Sequence, residues 1–240
     1  MMHAQAELQQ DLVLVGGGHS HALALRMLAM NPVAGLRISL VSPASHTPYS
    51  GMLPGLVAGH YSYEQTHIDL ARQSQSDGER FIASEVTALD PASRELTLLG
   101  RPSINYDVLS IDIGSQPELV SVPGARAHSV PVKPVAGLWQ RWRDLESRLA
   151  QADSRHRLAV VGGGAGSVEL ALAMAHRLAD QQVSIALFCG APEILQGYNR
   201  SARAAVKAAL ARHGVELHLQ SRVARVDENA IVLSDESRHG

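Results

Sequence analysis

The sequence predicts an α/β fold of two parallel-sheet units, and three observations carry that prediction. Apolar runs of strand length alternate with helix-period segments along most of the 240 residues. Near the start, the glycine triplet Gly16-Gly17-Gly18 joins a buried strand to an amphipathic helix. The pattern recurs at Gly162-Gly163-Gly164, so that LVLVGGGHSHALAL at 12–25 aligns with LAVVGGGAGSVELAL at 158–172.

Each element follows from its local pattern. Residues 12–15 form a continuous apolar strand, the glycines turn the chain, and a helix over 19–30 runs until Asn31-Pro32 stops it. Residues 36–41 read as a second buried strand. The next twenty, rich in Pro, Ser, Gly and His, fit neither period. Residues 81–89 and 95–99 look like strands of a meander joined through Asp90-Pro91, and 108–113 form another buried strand ending at Gly114-Ser115. A Pro-rich connector over 122–134 leads to a helix over 136–151, with Leu138, Trp142, Leu145 and Leu149 on one stripe. Both tryptophans fall in that helix, where packing is the plain reading. Polar residues 151–157 mark the boundary between a first domain, 1–152, and a second, 153–240. There the opening pattern restarts, with a strand at 158–161, a helix over 167–179 and a strand at 183–188. A helix over 201–213 stopped by Gly214 and strands at 215–219 and 230–233 follow.

Composition narrows the function classes. With 45% hydrophobic and 18% charged residues, the chain is long enough for one large domain or two small ones. A formal charge of −2 leaves no electrostatic footprint for nucleic acid or an anionic lipid surface. One cysteine excludes an internal disulfide, a CxxC redox pair and a thiolate zinc cage, and fits a reducing compartment. Residues 1–10 hold no apolar core of signal-peptide length, and no later run approaches the roughly 20 apolar residues of a spanning helix. A cytoplasmic protein with no membrane segment in this chain is the expectation.

The repeated glycine turn is the chemical feature. Its first glycine allows a tight turn and its second lets backbone amides approach a pyrophosphate. The helix N-terminus then offers unpaired N–H groups and a positive dipole. Two copies in strand–turn–helix context point to two Rossmann-like dinucleotide-binding domains; purely structural turns and a single-cofactor dehydrogenase are the alternatives. The third fingerprint position, ordinarily small for close helix–strand contact, is His21 in one copy and Ser167 in the other. His21 must then point away from the sheet or toward the ligand. The acidic ribose ligand is expected about 20 residues past the glycines. Ser42 and Cys189 stand there instead, with no arginine beside Cys189 to receive a 2′-phosphate. The choice between NAD and NADP stays open.

These fingerprints, with VLSIDIGSQP at 108–117, resemble two-dinucleotide-domain flavoprotein reductases of the pyridine nucleotide-disulfide oxidoreductase type, including type II NADH dehydrogenases and sulfide:quinone reductases. GGGHSHALAL at 16–25, HTPYSGMLPGLVAGHYSYEQTHIDL at 46–70 and VPVKPV at 130–135 are more specific. They resemble the flavoprotein found fused N-terminal to selenide, water dikinase. The resemblance implies FAD in the first domain and NAD(P)H in the second. Gly16, Gly18, His19 and Ser20 would meet the FAD pyrophosphate and Ser42 the adenosine ribose. Ser50, Gly51 and Met52 would lie along the flavin, Val86 would meet the adenine through its backbone, and Gly114 and Ser115 would stand near the FAD. Asp112 departs from the alanine of the family's Ala-Thr-Gly segment. In the second domain Gly162, Gly164, Ala165, Gly166 and Ser167 form the corresponding cradle. The chain stops before the segment with which such reductases complete the first domain, so a C-terminally shortened form with an incomplete second domain is implied.

The resulting expectation is an FAD-dependent NAD(P)H:acceptor oxidoreductase, with cofactors performing the chemistry and no catalytic triad. Lone Cys189 argues against a redox-active disulfide and reads as a small buried residue. Glu169 either faces the nicotinamide–flavin contact or is an acid favourable to its helix dipole. Twelve histidines show no tight ligand spacing, and no metal site is expected. His46, His60 and Tyr61 are candidates for the second-substrate side of the flavin. The acceptor is a small molecule, quinone-like or a selenium or sulfur compound. A selenide, water dikinase domain is an implied partner, and a homo-oligomer is left open. The alternative is a non-catalytic nucleotide-binding module associated with selenophosphate synthesis.

Overall fold

The computed structural model describes residues 10–75, 79–115, 121–150 and 155–240. The expectations for residues 1–9, for Gln116-Pro117 and for the boundary at 152/153 lie outside the described residues. The chain divides into two compact units, Met1–Tyr49 with Thr66–Ser115, and Ser50–Gln65 with Gln116–Gly240.

The chain opens with β1 (Gln10–Val15), α1 (His19–Met30), β2 (Leu36–Ser42) and β3 (His46–Pro48). Short elements follow: α2 (Leu53–Ala58), α3 (Tyr63–Thr66), β4 (His67–Asp69) and α4 (Leu70–Gln73). Next come β5 (Glu79–Ala83), β6 (Val86–Asp90), β7 (Glu95–Leu98), β8 (Arg101–Asn105) and β9 (Val108–Ile111). After α5 (Ala125–His128) and α6 (Leu138–Ala150) stand β10 (His156–Val161), α7 (Ala165–Arg177), β11 (Val183–Phe188) and α8 (Arg200–Arg212). Strands β12 (Val215–His218), β13 (Val223–Asp227), β14 (Ala230–Leu233) and β15 (Arg238–His239) complete the order.

The first unit is built on a four-stranded sheet in the order β5-β2-β1-β9, every pair parallel. Central strands β1 and β2 place apolar residues on both faces, residues 12–15 in β1 and Ile38, Leu40 and Val41 in β2, because both faces of the sheet are covered. Leu14, Ile38 and Leu40 pack with Ala22 and Leu25 of α1 on one face. Val13, Val15 and Val41 alternate to the other face and meet Leu96 and Leu98 of β7. Leu25, Leu40 and Leu70 have no exposed surface, and burial of each contributes about 1.5–3 kcal/mol.

The expected strand over 81–89 is two strands in different sheets. Ser84 N–H donates to the Ser42 carbonyl at 3.3 Å as the pairing of β5 with β2 ends, and its hydroxyl donates to the Leu99 carbonyl at 3.0 Å. From there the chain leaves the parallel sheet and forms the antiparallel sheet β6-β7-β8. Alternation continues through the switch, so periodicity alone does not reveal it.

The second unit repeats this design. Strands β10-β11-β12 form a parallel sheet, and Ile185 and Leu187 of β11 pack with Val168 and Ala171 of α7 and Leu210 of α8. Ala186 and Phe188 point to the opposite face and meet Ile231 and Leu233 of the antiparallel sheet β13-β14-β15. The repeat in sequence is thus a repeat in architecture: a parallel sheet with helix on one face and a three-stranded antiparallel sheet on the other. The connecting helix belongs here. Trp142 and Leu149 of α6 pack against Leu170 and Ala173 of α7 and Val57 of α2, so by contact residues 121–150 group with the second unit. Asn199 caps α8 by accepting from the Ala202 N–H at 2.8 Å, and Gly214 leaves it at φ +68°.

Candidate nucleotide-binding sites

The first glycine turn lies at the C-terminal end of β1, where α1 begins. Gly16 holds φ +97°, and its N–H donates to the Val41 carbonyl at 2.8 Å. A Cβ there would overlap the Asp112 carbonyl; one at Gly17 would sit 2.6 Å from Leu70 Cδ1, and one at Gly18 would overlap the Asp112 carboxylate. The three glycines are bare because the neighbouring chain fills the space. Gly18 is the N-cap of α1, with no side-chain cap and no acid in the first turn. Its first-turn amides therefore have no partner within the helix.

Asp112 supplies one. Its backbone continues β9, with its N–H donating to Val15 O at 2.8 Å and its carbonyl accepting from Gly18 N–H at 3.2 Å. Its Oδ2 accepts from the Ser20 N–H at 3.1 Å. A carboxylate thus stands on one of the amides that a pyrophosphate would use.

His21 departs from expectation. It is buried at 3% exposure and points into the sheet, with Nδ1 2.7 Å from the Gly16 carbonyl and Nε2 2.9 Å from Ser110 Oγ. Because the carbonyl only accepts, Nδ1 carries a proton and donates it to Gly16, while Nε2 shares a hydrogen bond with the Ser110 hydroxyl. The imidazole ties the glycine turn to β9, made possible because its partner on that strand is a small serine. His21→Ala is expected to lower unfolding stability by about 1–3 kcal/mol, leaving the buried Gly16 carbonyl and the half-buried Ser110 hydroxyl without this partner, as read from the denaturant midpoint.

The other first-site candidates are placed as follows. Ser42 is buried against Gly17 and donates to the Ala44 carbonyl at 3.0 Å. The ring of His19 stacks on Tyr49 at 4.7 Å. Val86 opens β6 opposite Leu98. Gly114 holds φ +76°, with no atom of the described residues within 4 Å of where its Cβ would stand, and Ser115 is exposed beside it. Ser50, Gly51 and Met52 form a 3-10 turn that belongs to the second unit, as do His60 and Tyr61, whereas His46 belongs to the first.

The second glycine turn is open where the first is filled. Gly162 holds φ +141° and its N–H donates to the Phe188 carbonyl at 2.9 Å. A Cβ at Gly162 would overlap Ser167 Oγ and one at Gly163 the Cys189 sulfur, whereas among the described residues nothing lies within 4 Å of a Cβ at Gly164 or Gly166. Gly164 caps α7 with extended backbone, no side-chain cap and no acid in the first turn. His176 and Arg177 occupy the last turn, where positive charge suits the dipole. Ala165 and Ser167 lie in the first turn, and Glu169 stands beyond it, exposed.

Cys189 is buried at 2% exposure, its thiol directed at the Glu193 carbonyl at 3.7 Å. The fold also brings Arg222 beside Gly190, at the end of β11, where the sequence shows no arginine nearby. Among the described residues no group of three or more His, Cys, Asp or Glu is arranged to hold a metal ion, and no helix is long and apolar enough to cross a membrane. Both turns suit a dinucleotide pyrophosphate, the second as it stands and the first once Asp112 leaves the Ser20 amide.

The sequence profile of the pyridine nucleotide-disulphide oxidoreductase family matches residues 10–239. Over 228 residues the chain is 23% identical to the NADH dehydrogenase-like protein YutJ of Bacillus subtilis, covering 95% of this chain and 62% of that protein. It is 29% identical over 161 residues to the demethylphylloquinone reductase NdbB of Synechocystis, covering 65% of this chain and 39% of the relative. The chain therefore spans less than two thirds of the length of these relatives. Among solved structures, NDH2 of Plasmodium falciparum in complex with NADH superposes with a TM-score of 0.78 at 15% identity, covering 96% of this chain and 52% of that one. At that identity the likeness is one of fold.

Proposed function

Because the chain belongs to the pyridine nucleotide-disulphide oxidoreductase family, we propose that it is an FAD-dependent oxidoreductase that takes a hydride from NAD(P)H and passes electrons to a small-molecule acceptor. The acceptor is quinone-like or a selenium or sulfur compound, and a selenide, water dikinase domain is the partner the resemblance favours. The setting is cytoplasmic. The observation that carries the reading is the pair of glycine turns, each placing a helix N-terminus without a side-chain cap of its own at the end of a parallel strand.

Bound FAD would supply the ring that accepts a hydride from reduced nicotinamide; the chain's own residues bind and orient. In the first domain, residues 1–152, the bare turn at Gly16 and Gly18 would admit the FAD pyrophosphate, and the amides of His19 and Ser20 would hold it. Ser42 would stand at its ribose, Val86 at its adenine, and Ser50, Gly51, Met52, Gly114 and Ser115 along the rest. In the second domain, residues 153–240, Gly162, Gly164, Ala165, Gly166 and Ser167 would hold the pyrophosphate of NAD(P)H. Glu169 is assigned to the nicotinamide end. Cys189 is alone and buried, so electrons leave without a redox-active disulfide.

The test is an absorbance spectrum of the purified protein after incubation with FAD and removal of the excess, followed by anaerobic NADH or NADPH. Retained flavin that bleaches on addition of the nucleotide supports the proposal; protein that cannot be loaded with flavin contradicts it.

Asp112 favours a second reading, a nucleotide-binding module without flavin turnover associated with selenophosphate synthesis. Its carboxylate and a pyrophosphate compete for the Ser20 amide, and two anions cannot share it. Asp112→Ala is expected to tighten FAD binding by about tenfold, from the removal of one charged competitor worth roughly 1.5 kcal/mol, measured by flavin fluorescence titration. Robust NAD(P)H-dependent dye reduction by the FAD-loaded wild-type protein would dispose of the second reading.

A further inference from the structure

We propose that Arg222 selects the 2′-phosphate of the dinucleotide held at the second glycine turn, making NADPH the preferred donor over NADH. The proposal rests on the reading that this turn binds a nicotinamide dinucleotide.

In a βαβ nucleotide fold the residue at the end of the second strand faces the adenosine ribose; an acid there pairs with the free 2′-hydroxyl, and an arginine nearby accommodates a 2′-phosphate. Here that strand is β11, and the residues following it are Cys189 and Gly190. Neither carries a carboxylate, and the Cys189 thiol is buried against Gly163. The next acid along the chain, Glu193, is bonded to Lys207 Nζ at 2.6 Å, and that contact holds its carboxyl below the ordinary range. Its charge is already partnered.

The return of the chain after β12 then brings a cation to this place. Cys189 N–H donates to the His218 carbonyl at 2.8 Å, and Ser221 N–H donates to the Cys189 carbonyl at 2.9 Å. These bonds draw residues 218–222 alongside the end of β11. A Cβ on Gly190 would lie 3.4 Å from Arg222 Cβ and 3.8 Å from its Cγ, so the bare glycine faces the arginine stem. Arg222 is exposed, and among the described residues its guanidinium has neither an ion pair nor a hydrogen bond. An arginine whose stem lies against Gly190, with its guanidinium uncommitted and no acid at the ribose position, has the chemistry of a phosphate monoester ligand: a planar positive fork within a side chain's length of a group carrying close to two negative charges. For NADH the same position offers no carboxylate to accept from the 2′-hydroxyl.

The experiment is equilibrium titration of the full chain with NADP+ and with NAD+ by calorimetry, on wild type, Arg222→Ala and Gly190→Asp. Wild type is expected to bind NADP+ about tenfold or more tightly than NAD+, the scale of a charge-assisted contact. Arg222→Ala should bring the two within about threefold by weakening NADP+ alone, with unchanged NAD+ affinity reporting an intact fold. Gly190→Asp, which sets an acid against Arg222, should invert the preference. Equal affinities in wild type, or equal weakening of both nucleotides in Arg222→Ala, overturn the assignment while leaving the nucleotide site standing. If neither nucleotide binds wild type, the site reading fails and the assignment fails with it.

Discussion

Gly164→Val is expected to fold normally and to weaken dinucleotide binding at the second turn by about 100-fold, the loss of one or two charge-assisted backbone hydrogen bonds. Among the described residues no atom lies within 4 Å of a Cβ at Gly164, and its backbone, at φ −84° and ψ 175°, is extended and open to any residue. Removing glycine from this N-cap lowers stability by no more than about 1 kcal/mol. The valine methyls would instead fill the space over the first amides of α7, the place proposed for the pyrophosphate. A thermal melt that hardly moves, beside a nucleotide titration that collapses, is the expected pair of results. Retained affinity would show that the open turn is not the cradle.

Gly16→Ala is expected to do the opposite, lowering unfolding stability by about 3 kcal/mol or more before any ligand is considered. Gly16 combines φ +97° with a backbone carbonyl, that of Asp112, where the Cβ would go, and the Asp112 carbonyl carbon lies only 2.7 Å from that point. Backbone on backbone cannot rotate away as a side chain can. Chemical denaturation of the two variants side by side therefore separates a glycine required by the fold from one reserved for a ligand, at nominally similar places in the same motif.

The central strands were legible because burial on both faces leaves an apolar run, as at residues 12–15 in β1 and 185–188 in β11, and the helices because their apolar stripes repeat at 3.6 residues. Glycine triplets flanked by these elements made the two turns legible as well. Polar edge strands were not: β8 reads RPSIN and β15 is two residues long, so neither announces itself by hydropathy. The chemistry around the turns stayed hidden for a related reason. Parallel pairing of β1 with β9 runs from Leu12 opposite Val108 to Val15 opposite Ile111, and this register sets Asp112 against the glycines and Ser110 beneath His21. Nothing local in the sequence states that register. The expectation that His21 points away from the sheet or toward the ligand failed because the close helix–strand contact meets small Ser110 on β9, which leaves room for the ring. Arg222 escaped notice because it reaches Gly190 through the chain returning from β12, not through the residues that follow β11.

The most direct test of the whole account is the stoichiometry of dinucleotide binding, measured by calorimetric titration of FAD into the chain and then of NADP+ into the FAD-loaded protein. Two glycine cradles predict one FAD and one NADP+ per chain, bound together and without mutual displacement. A single equivalent in total, with each nucleotide displacing the other, would contradict it.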